Sequence, residues 1–600
     1  MIQKIKNFFS LINNGDSLNV YLIFFLSFVS LASLFNSGFF SDDAYQSQIH
    51  GLFVERGTNL FTHTYAEIKG WISQGRIFPL TNLSFTFFYF LYDNILIYKF
   101  INIVTISLCL VFFYKFLYSY LKDSNLAFVT SLIALSSFQF RLWHDPIQGF
   151  HILLPLTTLF FLLSIYYFQK YLEFFDQRDL KISFIFFVIM ILHYEVTYAL
   201  IFVYPILYFS YKKNFFNIFS TLKNYIYFFT SLILITIGIR INNFFSDKNV
   251  YSSLDLGNPL GTLKAFLIQY SSALPLSYVY RTKQKLIKNF IETYDIILLL
   301  FVFYLLFVFT RKIIKSNLNI DLKNLFFISL IISAGPALIA AVTGHKNELL
   351  TIGYGFGYLP VFIQYFGTSI LFIIIFLALI KVIKIKPLQQ IFCIVFSVGL
   401  TLTLYVNILS NRYVVEEANK TYKYPRTLLE SSLKKGLFDN LIDDTVIIRK
   451  MRYAHDWMWF HATYSNKVFD LCEPKSLFSA GNYCLSKKYY FKELFKNKNL
   501  LLNKELDVSA KNIYTYSYNF DTSGKDIGQV FLAKVEQINF ETHEKLDKIL
   551  VKELFVYQQK KDRIFRLYFD EGLDFIKLMN DDTKPPVAYL VHTELNKYKF

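Results

Sequence analysis

Long apolar runs alternate with short polar connections as far as about residue 410, and the first run sets the pattern. Val20 to Phe40 contains no charged residue. At 1.5 Å per residue it covers about 31 Å, close to the ~30 Å hydrocarbon core of a bilayer. Ser41-Asp42-Asp43-Ala44-Tyr45 follows at once, so two carboxylates fall at the membrane–water boundary. After them, Tyr45, Ile49, Leu52 and Phe53 share one helical face, with Gln46, Gln48 and Glu55 elsewhere. That spacing predicts an amphipathic helix along the interface, with Asp42 and Asp43 at its N-terminus, where the helix dipole favours negative charge. The pair reads equally as an N-cap with a stop signal or as functional acids.

Later runs of similar character lie at 97–118, 125–141, 151–170, 182–194, 196–210, 225–241, 292–310, 325–343, 360–380 and 389–409, which with 20–40 gives about eleven spans. Ile77 to Tyr92 is apolar but short and begins beside Pro79, so it reads as re-entrant or interfacial. Alternate connections carry the cations, among them Lys4 and Lys6, Lys115 and Lys122, Lys212 and Lys213, and Arg311 to Lys323. By the positive-inside rule the N-terminus is cytoplasmic. An odd span count then places Asp42, Asp43 and the tail outside. Two outer loops are long, 41–96 and 242–291. The second holds Arg281, Lys283, Lys285 and Lys288, a cluster suited either to a lipid phosphate or to anionic headgroups.

Residues 411–600 are far more polar and long enough for a core of their own. Strand-like runs stand at 445–448, 530–535, 564–569 and 587–591, and Arg426 to Phe438 reads as a helix. The expected fold is a polytopic α-helical membrane protein, residues 1–410, followed by a C-terminal mixed α/β soluble domain, residues 411–600.

Composition supports this and narrows the partners. Of 600 residues, 54% are hydrophobic and 20% aromatic, which excludes an ordinary soluble protein. A net charge of +17 would suit nucleic acid, but the cations fall in particular loops, so membrane topology is the better cause and no nucleic-acid partner is expected. The first apolar run is too long for a signal-peptide core and reads as a retained span. Cys109 and Cys393 lie inside apolar runs. Cys472 and Cys484 lie in the tail; in an oxidising outer space they can pair. Closing a loop of about a dozen residues would contribute roughly 3 kcal/mol.

The groups able to carry chemistry gather at outer loop ends. Trp143-His144-Asp145-Pro146 follows the third run, and His193-Tyr194-Glu195 sits where two runs almost touch. Gly344-His345-Lys346-Asn347-Glu348 precedes the glycines Gly353, Gly355 and Gly357. Acids and histidines recurring on one side of a bilayer point to a functional site. There is no G-x-x-x-x-G-K-[ST] phosphate loop, no H-E-x-x-H zinc site and no G-x-S-x-G elbow.

This order of features resembles the GT-C class of glycosyltransferases, which includes protein O-mannosyltransferases, aminoarabinose transferases and oligosaccharyltransferase catalytic subunits. The matching residues are Asp42-Asp43-Ala44-Tyr45 after one span, Gly75-Arg76 with Pro79, Tyr98 to Asn102, His144-Asp145-Pro146 and Tyr194-Glu195, over roughly residues 1–210. Some members carry Asp-Glu where this chain has Asp42-Asp43, so the pair does not identify the sugar. The resemblance implies inverting transfer from a polyprenyl-phosphate-linked sugar to a glycan, lipid or protein hydroxyl at the outer face of a bacterial inner membrane. It implies Asp42, Asp43, Asp145 and Glu195 as catalytic acids, Asp42 foremost as base. Arg76, His144, His193, Arg281, His345 and Lys346 are then the substrate-binding candidates. No cofactor is certain; a divalent ion, Mg or Mn, bridging Asp42 and Asp145 is left open. A transporter or flippase, or a polymerase or ligase, of lipid-linked glycans is the alternative.

Overall fold

The computed structural model describes residues 15–47, 58–74, 76–88, 94–150, 152–212, 226–238, 257–282, 292–315 and 322–434. In the tail it describes 445–449, 512–520, 528–539, 551–558, 564–569 and 587–592. Among them, six helices are long and apolar enough to cross a membrane: Ser17–Asn36, Ile95–Leu121, Tyr294–Lys315, Leu322–Val342, Val361–Val382 and Lys386–Tyr424. Shorter apolar helices occupy Ser124–Ser136, Glu195–Tyr211 and Ile226–Gly238. The expected runs at 151–170 and 182–194 fall in the helices Leu154–Phe174 and Gln177–His193. The chain is a helical membrane protein. The apolar stretch after Pro79 forms a helix of 10 residues, Pro79–Phe88. Residues 89–92 of the expected apolar run lie outside the described residues.

Local chemistry sets the helix ends. Asn94 accepts from the Leu96 and Ile97 amides at 3.1 and 3.2 Å, opening Ile95–Leu121. That helix ends on Lys122, in the left-handed conformation at φ 57°, and Asp123 at once caps the next by accepting from Leu126 N at 2.7 Å. Phe175 (φ 55°) and Asp176, which accepts from Arg178 N at 2.8 Å, repeat the device. Lys122 pairs with Glu173 at 2.6 Å, joining the two turns.

Two elements depart from the apolar pattern. The run expected to stay helical to residue 141 stops at Ser136. Its continuation is a buried loop whose backbone is satisfied by side chains of other helices. Asn407 donates to Ser136 O at 2.6 Å. Asn411 accepts from Phe140 N at 2.7 Å and donates to Phe138 O at 3.2 Å. Lys99 and Asn102 donate to the Gln148 and Ile147 carbonyls at 2.8 and 2.7 Å. The second departure is Glu195–Phe202, which is a 3₁₀ helix before the α-helix Val203–Lys212 begins. Pro205, lacking an N–H, falls in the first turn of the α-segment, where no donor is needed.

Helix Leu322–Val342 packs on Val361–Val382 through Gly367, whose carbonyl accepts from the Ser329 hydroxyl at 2.9 Å. A methyl at Gly367 would meet the backbone of Ser329 and Ser333. Gln364 donates to Ser333 O at 2.7 Å, just before Pro336 interrupts the ladder.

The chain forms two compact units: residues 1–37 with 64–417, and 38–63 with 418–600. Residues 38–63 thus group with the tail. In that second unit, the segment after the first span lies on the distal part of the helix Lys386–Lys434, which runs unbroken through the helix expected to begin at Arg426. Gly38 N donates to Asn419 Oδ1 at 3.0 Å, and Phe40 meets Tyr422 at 4.9 Å between ring centroids. Arg426 donates to Ser47 Oγ at 2.7 Å and covers the Phe39 ring at 4.9 Å. The tail carries a six-stranded sheet, with β1 (Thr445–Arg449), β2 (Asn512–Phe520), β3 (Gly528–Asn539), β4 (Val551–Gln558), β5 (Ile564–Phe569) and β6 (Val587–His592) in the order β1-β2-β3-β4-β5. β1 and β2 are parallel, with Thr445 opposite Asn512. β3 pairs antiparallel with β2, then with β4 at Gln529–Gln558 and β6 at Lys534–His592 along its other edge. Cys472 and Cys484 lie outside the described residues.

Candidate functional site

Within the first unit, four separate connections bring acids, histidines and an arginine into one cluster. Arg76 leaves the end of helix Leu60–Ser73 with its amide on Trp71 O at 3.0 Å. Its guanidinium lies 5.1 Å from the Trp71 ring and 4.5 Å from the Phe78 ring, resting on two rings that are themselves 5.3 Å apart. Arg76 Nε donates to Glu195 Oε1 at 2.7 Å, and Nη2 closes on the same oxygen. Burial disfavours the charge of Arg76, but the Glu195 carboxylate outweighs it and holds the guanidinium above its ordinary value. Glu195 Oε2 is buried with no hydrogen-bond partner among the described residues, and so is the Tyr198 hydroxyl.

His193 anchors this corner. Its ring is fully buried, with Nδ1 2.6 Å from the Thr157 hydroxyl and Nε2 3.1 Å from the Ser84 hydroxyl. Its carbonyl accepts from the Thr81 hydroxyl. His193, expected to bind substrate, instead ties three helices together and so positions Glu195.

The second part centres on Glu348 in the short helix His345–Ile352. His144 Nε2 lies 3.0 Å from Glu348 Oε1, and His345 Nδ1 lies 3.8 Å from Oε2. Burial acts to raise the Glu348 carboxyl, but the hydrogen bonds and charge of His144 and His345 prevail and hold it down at about 2. His144 has φ 43°, uncommon for a residue with a side chain, in the buried loop described above. The Tyr358 ring joins both parts. It lies 5.3 Å from the His144 ring and 4.7 Å from the His345 ring, and within electrostatic reach of Arg76. Gln269 grips the Tyr358 backbone at both ends, accepting its N–H at 2.7 Å and donating to its carbonyl at 3.2 Å.

Asp145, Arg281 and Lys346 lie in the same unit as this centre. Asp145 is fully buried. Its Oδ1 accepts from Ile147 and Gln148 amides at 2.6 and 2.8 Å, and its Oδ2 from the Arg141 amide. Burial pushes its carboxyl up, against the pull of Arg141 and these amides. Both oxygens are thus committed to closing the loop, and Asp145 does not fit a metal ligand. Among the described residues no three His, Cys, Asp or Glu side chains converge to hold a metal. Arg281 is exposed and lies over Phe356 at 5.7 Å. It passes so close to Gly355 that a Cβ there would stand 2.7 Å from the Arg281 Cβ. Gly353, Gly355 and Gly357 all have positive φ, 80°, 85° and 67°, which explains the glycine run as a tight turn. Lys346 is buried beside His345. Asp42 and Asp43 belong to the second unit, in the first turn of the helix Asp42–Gln46, with Asp43 buried and Asp42 exposed. That helix is one turn long, and residues 48–57 of the expected amphipathic helix lie outside the described residues.

Sequence reasoning passed over Tyr358, Gln269, Arg141 and Tyr198. A tyrosine or glutamine inside an apolar run carries no spacing signal. Lys99 stands near the start of the helix Ile95–Leu121, where a charge is cheaper than at the centre of a span, and so carried no signal either. No protein-family model and no curated protein matches the chain.

Proposed function

We propose that this chain is a membrane-embedded glycosyltransferase that moves a sugar from a polyprenyl-phosphate-linked donor to an acceptor hydroxyl at the outer face of the membrane. The observation that supports this reading is the cluster in which Arg76–Glu195 and His144–Glu348–His345 meet around Tyr358. Carboxylates, imidazoles and aromatic rings brought together from loop ends make a site able to bind sugar hydroxyls.

In the reaction the acceptor oxygen attacks the anomeric carbon while the bond from that carbon to the phosphate oxygen breaks. The lipid phosphate departs with the electron pair, and the acceptor proton passes to a carboxylate. The resemblance to the GT-C class assigns that carboxylate to Asp42, with Asp43 holding the acceptor. Glu195 and Glu348 serve sugar binding, with Arg76 and His345 as their partners. The same reading includes about eleven spans, a cytoplasmic N-terminus and an outward-facing mixed α/β domain formed by the tail.

The test is transfer by the purified protein in liposomes supplied with a radiolabelled polyprenyl-phosphate sugar. Sugar transfer supports the proposal, and movement of the lipid across the bilayer without bond breakage identifies a flippase instead. Asp42→Asn and Asp43→Asn are each expected to lose about 10²–10⁴-fold in rate at unchanged expression. Full activity in both variants defeats the assignment of the base.

A further inference from the structure

Glu195 and Tyr198 stand three residues apart in the 3₁₀ helix Glu195–Phe202. A 3₁₀ helix has three residues per turn, so side chains at that spacing eclipse and project to the same side. Both carry a buried polar atom with no partner among the described residues, Glu195 Oε2 and the Tyr198 hydroxyl. Such orphans are costly, and native proteins keep few of them. Two on one side of one turn make a site waiting for a ligand. The Glu195 side chain as a whole retains 21% of its surface, while Oε2 and the Tyr198 hydroxyl themselves are covered, so a ligand enters only as their surroundings open.

The chemistry of the pair names the ligand. An ionised carboxylate only accepts hydrogen bonds, and a phenol both donates and accepts. A phosphate would bring more acceptors to an acceptor and would be repelled by its charge. A cation is already supplied to Glu195 by Arg76, through two nitrogens on the opposite oxygen. What remains is a neutral group with hydroxyls to donate. We propose that Glu195 Oε2 and the Tyr198 hydroxyl form a two-point subsite for neighbouring hydroxyls of a neutral sugar ring. Arg76, resting against the neighbouring Trp71 and Phe78 rings, is a positioning residue that turns Oε2 toward the ligand and does not bind the lipid phosphate. The subsite deepens the glycosyltransferase reading by giving the glycosyl unit its place, and it rests on that reading only for the identity of the sugar as the donor's.

The test uses the full-length protein in lipid nanodiscs with free glucose, mannose, galactose and arabinose as probes and inorganic phosphate for comparison. At least one neutral sugar should raise the thermal midpoint of the wild type, and phosphate should not. Tyr198→Phe removes an orphaned hydroxyl, so without sugar it should melt at the wild-type temperature or above. It should then need about fivefold more sugar for the same stabilisation, the loss expected of one neutral hydrogen bond. A Tyr198→Phe protein that melts lower without sugar would show that the hydroxyl has a structural partner such as an ordered water, and the subsite falls. It falls equally if no sugar stabilises the wild type, if both proteins respond alike, or if phosphate is the better stabiliser. Sugar binding that depends on Tyr198 in a protein without transfer activity keeps the subsite and removes the transferase. Transfer with wild-type donor KM in Tyr198→Phe does the reverse.

Discussion

Arg76 and Glu195 are 119 residues apart in the chain, yet Nε of the one lies 2.7 Å from Oε1 of the other. Both guanidinium contacts converge on a single carboxylate oxygen, leaving the second for other work. Arg76 is 9% exposed and Glu195 21%, so the pair is largely shielded from water. In such surroundings the attraction offsets a large desolvation cost, and removing one partner leaves an unbalanced charge.

Arg76→Met alone should therefore destabilise the protein by about 3 kcal/mol, the lower end of the range for breaking a buried pair. The double variant Arg76→Met with Glu195→Met should recover most of that loss. Thermal unfolding of the four proteins in detergent gives the coupling directly, and simple additivity of the two single losses would refute it.

The depressed carboxyl of Glu348 makes a prediction about pH. Its ordinary value is 4.5 and in the folded protein it stands at about 2. Between those values the unfolded chain binds the proton and the folded one does not, so stability rises with pH across the window. The contribution is complete above about pH 4.5 and is lost as pH falls through about 2. The stability advantage of wild type over Glu348→Gln should be constant from pH 5 to 6 and shrink progressively at lower pH. A difference that grows on acidification would contradict the carboxylate's role.

Gly367 and Gly399 both sit in spanning helices, but their surroundings are opposite. A Cβ on Gly367 would run into the backbone nitrogen of Ser333 and stand 2.8 Å from the Ser329 carbonyl, whereas Gly399 has nothing within 4 Å. Gly367→Ala should cost about 1–3 kcal/mol through forced separation of the two helices. Gly399→Ala should gain up to about 1 kcal/mol from helix propensity. Melting temperatures of the two single variants decide the matter, and equal effects would show that the close helix crossing does not exist.

Gln269 holds Tyr358 by two backbone hydrogen bonds and also donates to Gln364 Oε1 at 2.7 Å. Gln269→Leu orphans these buried groups, at about 1–3 kcal/mol for each that stays unsatisfied. Tyr358 should then lose its fixed place between His144 and His345. The measurement is thermal stability together with transfer rate. A stable protein with an unchanged rate would free the cluster from dependence on Tyr358.

Much of the helical plan was legible along the chain. Val20 to Phe40 marks the first span, although its helix runs Ser17–Asn36 and residues 37–40 are not helical, and Asn94, Asp123 and Asp176 mark helix starts by a rule that involves only three residues. The loop ends holding His144, Glu195 and His345 were legible too, because ionisable groups are costly inside a bilayer and collect where the cost falls. Strand-like runs at 445–448, 530–535, 564–569 and 587–591 lie within β1, β3, β5 and β6, though nothing in their order foretold that β1 would pair with β2 in parallel.

The sequence by itself determined that apolar helices would cross a membrane and where their polar ends would fall, since bilayer thickness and local capping act on contiguous residues. Only the tertiary structure decided that Arg76 meets Glu195, that His144 and His345 share Glu348, and that Asp145 turns inward to its own loop. The reason is physical: lipid tails and neighbouring helices are equally apolar, so hydrophobic pattern does not say which face of a span meets which. That choice rests on close fits such as Gly367 against Ser333 and on buried side chains such as Asn411 and Lys99 reaching a distant backbone.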